Sequence, residues 1–418
     1  MNERTMDLQS KHLTSMRIAL VTETFTPEVN GVAMTLGRIT EGLLRLGHTL
    51  QIIRPSQSSS DSPNKRTGQE DVLVTGFPIP FYNELRFGFP SENRLVKLWQ
   101  QKRPDVVHVA TEGPLGLFAI NVARKLRIPV TSSFHTNFQN YSSHYGIGFL
   151  RGPIEVYMRW LHNRTMATLA PTHAMVQTLQ ARGYLNVALF SRGVAIELFS
   201  PIHRSSALRE SWAVNDQDIV VLYVGRLAKE KNVNLVLRSF LAIKSRHPNA
   251  KLVFVGDGPL AKSLQEECPD AIFAGMKTGK ELAAHYASGD LFLFPSATET
   301  FGNVVPEALA SGLAVVAYDY AAAATMITNE VNGCLVPFGD EAGFVSRAWA
   351  LASAPHKLLA LRQQAAPSVS HLDWGSVCEQ FAGALAKVVK CPDQQWSTSS
   401  GQPQKNMVIQ PSALGPVP

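Results

Sequence analysis

The 418-residue chain has few cysteines, no long apolar run and no charge cluster dense enough to suggest nucleic acid. Its four cysteines, Cys268, Cys334, Cys378 and Cys391, show neither CxxC spacing nor a nearby histidine. That disfavours a disulfide framework or a zinc module and predicts reduced, idle thiols. No run of about 18 apolar residues is present, so no membrane-spanning helix is expected. The first 15 residues are polar and lack the apolar stretch of a secretory signal, which predicts a cytoplasmic chain. No GxGxxG follows a strand and no acid follows the second strand to hold a ribose, so hydride transfer with a dinucleotide loses ground. Zinc-finger spacing and aromatic nucleic-acid-binding strings are missing too, so no nucleic-acid partner is expected.

Charge is present but uneven. Residues 1–200 carry 21 Lys+Arg against 14 Asp+Glu, whereas residues 201–418 carry 18 against 19. The positive excess is confined to the first half. It suits peripheral contact with an anionic membrane face, or it is a scattered solvated surface.

Short apolar runs alternate with helix-like stretches throughout. One series comprises residues 17–21, 50–54, 105–110, 130–134 and 167–170; the other comprises 219–224, 251–255, 271–274, 291–295, 313–317 and 333–337. Many are β-branched and bounded by Gly, Pro or Asp, as buried parallel strands are. The expected fold is α/β, with two Rossmann-like doubly wound domains facing a central cleft. We assign residues 16–199 to the first domain, 200–372 to the second and 373–390 to a terminal amphipathic helix. Residues 391–418, rich in Gln, Ser and Pro, form an expected disordered tail. The polar stretch 56–71 reads as a surface loop or as locally disordered, and the Pro- and aromatic-rich stretch 77–90 as a packed loop or an acceptor entrance.

The chemistry concentrates in ETFGNVVPEALASG, where Glu299 and Glu307 stand eight positions apart around a Phe-Gly turn. Amides near Phe301, Gly302, Asn303 and Val304 and the two carboxylates can face one ligand, amides toward oxyanions and carboxylates toward sugar hydroxyls. Arg226 and Lys231, in GRLAKEKN, follow a strand and so fall where open α/β sheets bind ligands. Cations for a diphosphate and carboxylates for hydroxyls together suggest a nucleotide-sugar site. Asn30-Gly31 permits a tight turn with close backbone approach to a phosphate, or is a purely structural turn. Gly256 begins a second glycine turn after a strand, alone no more than a turn. His135 follows the run VTSSF beside Thr136 and Asn137, as a sugar contact or as a hydrogen-bonded structural group. Asp216-Gln217-Asp218 has the form of a metal-binding DxD pair but precedes a strand, at the wrong end for a ligand. No metal site is expected.

With these residues placed, the chain resembles glycosyltransferase family 4, retaining enzymes of the GT-B fold, from about Met16 to Leu385. The E-x7-E element from Glu299 to Glu307 carries the resemblance, supported by GRLAKEKN, FVGDGP, VTETFTPEVNGV and SSFHTN. SRGVAIELFSP and ASGDLFLFPSATETFGNVVPEALASG look like the branch of GDP-mannose-dependent α-mannosyltransferases and sulfoquinovosyl-diacylglycerol synthases. The resemblance implies that Arg226 and Lys231 bind the diphosphate, Glu307 the ribose and Glu299 the transferred sugar. It places Gly31 near the diphosphate and His135 near the anomeric carbon, and it returns the last helix to the first domain. Two departures stand out. Relatives often read Asn-Gly-Val-Asp where this chain has Arg192-Gly193-Val194-Ala195, and often carry a Gly-Gly pair and a Glu where this chain runs through Ala321–Thr325.

The implied activity is a metal-independent, cofactor-free, retaining hexosyl transfer. GDP-mannose is the favoured donor, and a glycolipid or other saccharide the acceptor, met in the cytoplasm or at the inner membrane face. A UDP-sugar-dependent glucosyl or sulfoquinovosyl transferase is the alternative within that class. Outside it stand a nucleotide-sugar-binding protein without transfer activity and, more remotely, a GT-B-shaped epimerase.

Overall fold

The computed structural model describes residues 14–26, 28, 30–57, 61–79, 82–135, 151–299 and 301–390. Two open sheets organise them. The first contains β1 (Arg17–Val21), β2 (Thr49–Pro55), β3 (Lys65–Arg66), β4 (Gln69–Ile79), β5 (Tyr82–Phe89), β6 (Val106–Val109), β7 (Val130–Ser133), β8 (Ala167–Ala170) and β9 (Val187–Leu189). Its order is β3-β4-β2-β1-β6-β7-β8-β9, with β5 bonded to β4. Neighbours run parallel except at the β3–β4 and β4–β5 pairs. The second sheet contains β10 (Val220–Val224), β11 (Lys251–Val255), β12 (Ile272–Phe273), β13 (Leu291–Phe294), β14 (Ala314–Tyr318) and β15 (Gly333–Val336). All its pairs are parallel, in the order β12-β11-β10-β13-β14-β15.

The apolar runs become strands because both faces are covered. Every residue of β6, β10, β13 and β14 is buried, as crossover helices on either side require. Chain order reverses beside β1 and beside β10, so a crevice opens past the carboxyl ends of each. Residues Val194, Ala195 and Phe199 already belong to the core of the second sheet. Helix Trp374–Lys390 returns the chain to the first: Val377, Phe381, Ala382 and Leu385 pack with Ile18, Leu36 and Ile39.

Two expectations are corrected here. The stretch 56–71 is not all loop, since Lys65–Arg66 and the start of β4 pair with each other and with β2. Gln69 and Asp71 are buried because Arg54 donates to Asp71 at 3.2 Å and Gln69 donates to Asp71 at 2.8 Å. Residues 77–90 form most of the antiparallel β4–β5 hairpin, with Phe77 opposite Phe87. The 391–418 tail, Cys391, Thr136 and Asn137 lie outside the described residues; Cys268, Cys334 and Cys378 are free and buried.

The returning helix is seated by Gly42. A Cβ there would stand 2.2 Å from the Cys378 Sγ. Helix propensity favours alanine over glycine by about 1 kcal/mol, but overpacking costs about 1–3 kcal/mol and should win. Gly42→Ala is expected to lower stability in chemical denaturation, and adding Cys378→Ala to recover part of the loss.

Candidate active site

At the carboxyl edge of the second sheet, β10 is followed by Gly225 and β11 by Gly256. A Cβ on Gly256, whose φ is +134°, would fall 2.0 Å from the Gly225 carbonyl oxygen. Glycine is required there because two backbones touch. Leu227 N–H donates to Asp257 O at 2.9 Å, so the glycine turn braces GRLAKEKN. From this braced loop Arg226 extends into solvent, 3.6 Å from Glu230, while Lys231 turns inward.

Lys231 Nζ lies 2.5 Å from Glu299 Oε1. Ser296 Oγ donates to the same oxygen at 2.8 Å, and Tyr320 OH donates to the Glu299 carbonyl at 2.7 Å. Gly302 takes a φ of +91°, which makes the turn into helix Val304–Ala310. Phe301 is buried, Asn303 precedes that helix and Val304 starts it; Thr300 lies outside the described residues. Glu307 sits in the first turn and accepts from Tyr286 OH at 2.9 Å. Burial pushes its carboxyl up to about 7 against the pull of that hydrogen bond.

The first domain presents a second set of groups. Asn30 caps helix Gly31–Arg45, its Oδ1 accepting from Val32 N and Ala33 N at 3.1 and 2.9 Å. Its side chain is therefore spent on the helix end, with Gly31 as the first helical residue. His135 follows β7 and is buried; burial first, then the charge of Arg192, hold it well below the usual imidazole range. Arg192 Nη2 is 3.4 Å from His135 Nδ1. Because a guanidinium can only donate, Nδ1 is the acceptor and Nε2 carries the ring proton. That Nε2 has no hydrogen-bond partner among the described residues.

Arg192 joins the two sides of the cleft. Its Nη1 donates to Asn303 Oδ1 at 3.4 Å, and its guanidinium lies 5.5 Å from the centroid of Phe301. The structure thus gathers Lys231, Glu299, Phe301, Gly302 and Asn303 on one side, with His135, Arg192 and Gly31 opposite. Arg226 stands at the rim. Gly256 lies behind the rim as a packing residue, and Glu307 is reached through Tyr286. Sequence reasoning treated Arg192 as a departure from a pattern and passed over Tyr286 and Ser296. An arginine set between the apolar Phe190 and Val194 was the one available signal. The Asp216–Asp218 pair is used locally, Asp218 accepting from Asn215 N at 2.9 Å.

A sequence model described as Glycosyltransferase Family 4 matches residues 29–198, and one described as Glycosyl transferases group 1 matches residues 218–353. The chain is 34% identical over 377 residues to the GDP-mannose-dependent alpha-mannosyltransferase of Corynebacterium glutamicum, covering 90% of this chain and 89% of that one. It is 35% identical over 372 residues to the Mycobacterium tuberculosis protein of the same name, covering 88% and 96%.

The chain belongs to glycosyltransferase family 4.

The Anabaena Alr3699/HepE structure in complex with UDP superposes with a TM-score of 0.71 at 18% identity, covering 89% of this chain and 100% of that one. Its likeness is one of fold, and the fold is GT-B. The protein is a glycosyltransferase, and the cleft between its sheets is the place where the family's motifs converge. Among the described residues no helix is long and apolar enough to cross a membrane.

Two measurements follow from this geometry. The fold favours protonated Glu307, so that contribution to stability is present below the ordinary carboxylate value and is lost as pH rises toward 7. Relative to wild type, Glu307→Gln should therefore gain up to about 3 kcal/mol between roughly pH 4.5 and pH 7, then level off. Denaturation curves across that range test the sign. Separately, Ala321 adopts φ +54°, a left-handed backbone suited to glycine. Ala321→Gly should stabilise by about 1 kcal/mol in the same assay.

Proposed function

We propose that the protein is a retaining, metal-independent hexosyltransferase that moves mannose from GDP-mannose to a hydroxyl of a glycolipid or lipid-linked sugar at the inner membrane face. The observation that carries the reading is the Lys231–Glu299 pair at 2.5 Å, held past the ends of β10 and β13. It sets an ammonium where a diphosphate can meet it and a carboxylate where sugar hydroxyls can donate. Two near-full-length relatives at 34% and 35% identity bear the name GDP-mannose-dependent alpha-mannosyltransferase, which favours that donor. The basic first half favours an acceptor met at an anionic surface.

In this reading the bond from the anomeric carbon to the distal phosphate breaks, and its electron pair stays on the phosphate oxygen. The acceptor oxygen attacks from the same face and passes its proton to that phosphate. Lys231, held in place by Glu299 before the reaction begins, and Arg226 at the rim would stabilise the developing charge without a metal. His135, as a neutral Nε2–H donor, would hold a sugar oxygen, and closure of the cleft would exclude water. A UDP-sugar donor is the second reading. It is favoured by Ala321–Thr325, where the loop departs from the family's glycine pair.

Thermal melts with GDP, UDP and ADP, each without metal, separate the donors. A ligand at about 100 times its Kd adds roughly 2.7 kcal/mol, so a GDP-selective rise is expected. A UDP-selective rise transfers the assignment to the second reading. Glu299→Ala and Lys231→Ala should each cut transfer from GDP-mannose by about 100-fold or more with the fold intact. Unchanged turnover in either variant would sink the site.

A further inference from the structure

The two cations expected to receive the diphosphate are already paired with carboxylates. Arg226 lies 3.6 Å from Glu230, and Lys231 lies 2.5 Å from Glu299. Arg192 is different. Only 6% of it is exposed, yet among the described residues no carboxylate oxygen comes within 4.0 Å of its guanidinium. Its neighbours are neutral: Asn303 and His135, each at 3.4 Å, and the face of Phe301. Its Nε has no hydrogen-bond partner among the described residues. A guanidinium cannot escape burial by giving up its proton at neutral pH, and an unpaired buried charge is costly. Such a group is arranged for an anion that arrives with a ligand.

The same guanidinium points at the start of helix Gly31–Arg45. A Cβ on Gly31 would stand 3.8 Å from Arg192 Nη1 and 3.9 Å from Asn303 Nδ2. Glycine leaves that space open. The positive end of a 15-residue helix faces the same spot. Asn303 in turn is one residue from Gly302, whose Cβ position lies 3.4 Å from Glu299 Cγ, so the spot adjoins the Lys231–Glu299 pair.

We propose that Arg192 binds the distal phosphate of the donor diphosphate, reaching it from the first domain beside Gly31. This rests on the nucleotide-sugar reading above. Arg192 would then supply the one positive charge in the cleft not already neutralised, at the oxygen that keeps the electron pair when the sugar leaves. Asn303 and His135 would hold the guanidinium in place through its outer nitrogens.

The test is calorimetric titration of the purified full chain with GDP, GMP, UDP and UMP, in wild type, Arg192→Met and Arg192→Lys. For whichever base the wild type prefers, Arg192→Met should lose roughly 10- to 100-fold in diphosphate affinity and little in monophosphate affinity. Arg192→Lys should recover part of the loss. The unliganded Arg192→Met protein should melt at or above the wild-type temperature, since a buried unpaired charge has been removed. Equal losses for diphosphate and monophosphate, a lowered melting temperature, or undiminished diphosphate binding would each overturn the proposal. In all three cases wild-type nucleotide binding would leave the nucleotide-sugar reading standing. Wild-type protein that binds none of the four nucleotides would remove that reading and this proposal with it.

Discussion

The cleft depends on one crossing, where Gly193 lies against the indole of Trp374. A Cβ on Gly193 would meet the ring carbon Cδ2 at 2.8 Å and the Leu372 carbonyl oxygen at 3.2 Å. Alongside, Val194 N–H donates to that same carbonyl at 2.8 Å. The segment leaving the first domain and the segment returning to it are therefore bonded side by side. Trp374 begins the helix whose apolar face completes the first core, and the residue itself packs against both cores. Val194 is set by the second core. Arg192, immediately before Gly193, has little freedom left, and its guanidinium is delivered to Asn303, Phe301 and His135. A bulkier residue at Gly193 would act on the site through this geometry rather than by contact with a ligand.

The second organising fact is how charge is distributed around the space so defined. Burial holds Arg192 and His135 in one protonation state at neutral pH and brings Glu307 into the neutral range. Burial lowers Arg192 to about 10, which still leaves it charged at neutral pH, and the charge of Glu299 pulls the other way. His135 is neutral for the same reason of burial. Glu307, raised to about 7, is poised between forms. These states are set before a ligand arrives, and that preorganisation is what allows a charged transition state to be met without rearranging water. Lys231 and Glu299 shield each other. In the proposed reading a diphosphate would give the ammonium a second partner and free the carboxylate for hydroxyl donors.

How much of this was legible in the sequence follows from where the partners lie along the chain. Strands buried on both faces, such as β10 and β13, announce themselves as apolar runs bounded by turn residues. β4 does not, because its inward side chains at Gln69 and Asp71 are polar, Asp71 accepting from both Arg54 on β2 and Gln69. Nothing in the local pattern tells such a strand from a solvated loop. β9 is three residues long, too short for any periodicity. Within the site, Glu299 and Glu307 share one turn and helix, and so their spacing could be read. Arg192 meets His135 across 57 positions and Asn303 across 111. Contacts of that separation leave no spacing to recognise. Asn30 illustrates the converse, a residue visible beside its glycine whose side chain serves as a helix cap.

The loop that departs most from the family pattern is anchored to the residue that fits it best. Tyr320 donates its hydroxyl to the Glu299 carbonyl at 2.7 Å, and the next residue is Ala321, in a left-handed backbone at φ +54°. A backbone conformation that glycine tolerates freely is imposed on alanine here, and the Tyr320 bond helps keep it. The carbonyl of Phe301 accepts from Ala322 N at 2.8 Å, tying the same loop to the turn before helix Val304–Ala310. Two bonds thus join this loop to the backbone at Glu299 and Phe301, where the Phe-Gly turn begins. The carboxylate of Glu299 is held separately, by Lys231 and Ser296. Because main chain and side chain of Glu299 answer to different partners, the loop can change sequence without disturbing the ion pair. In the proposed reading such a cleft would keep the Lys231–Glu299 pair while the neighbouring loop is altered.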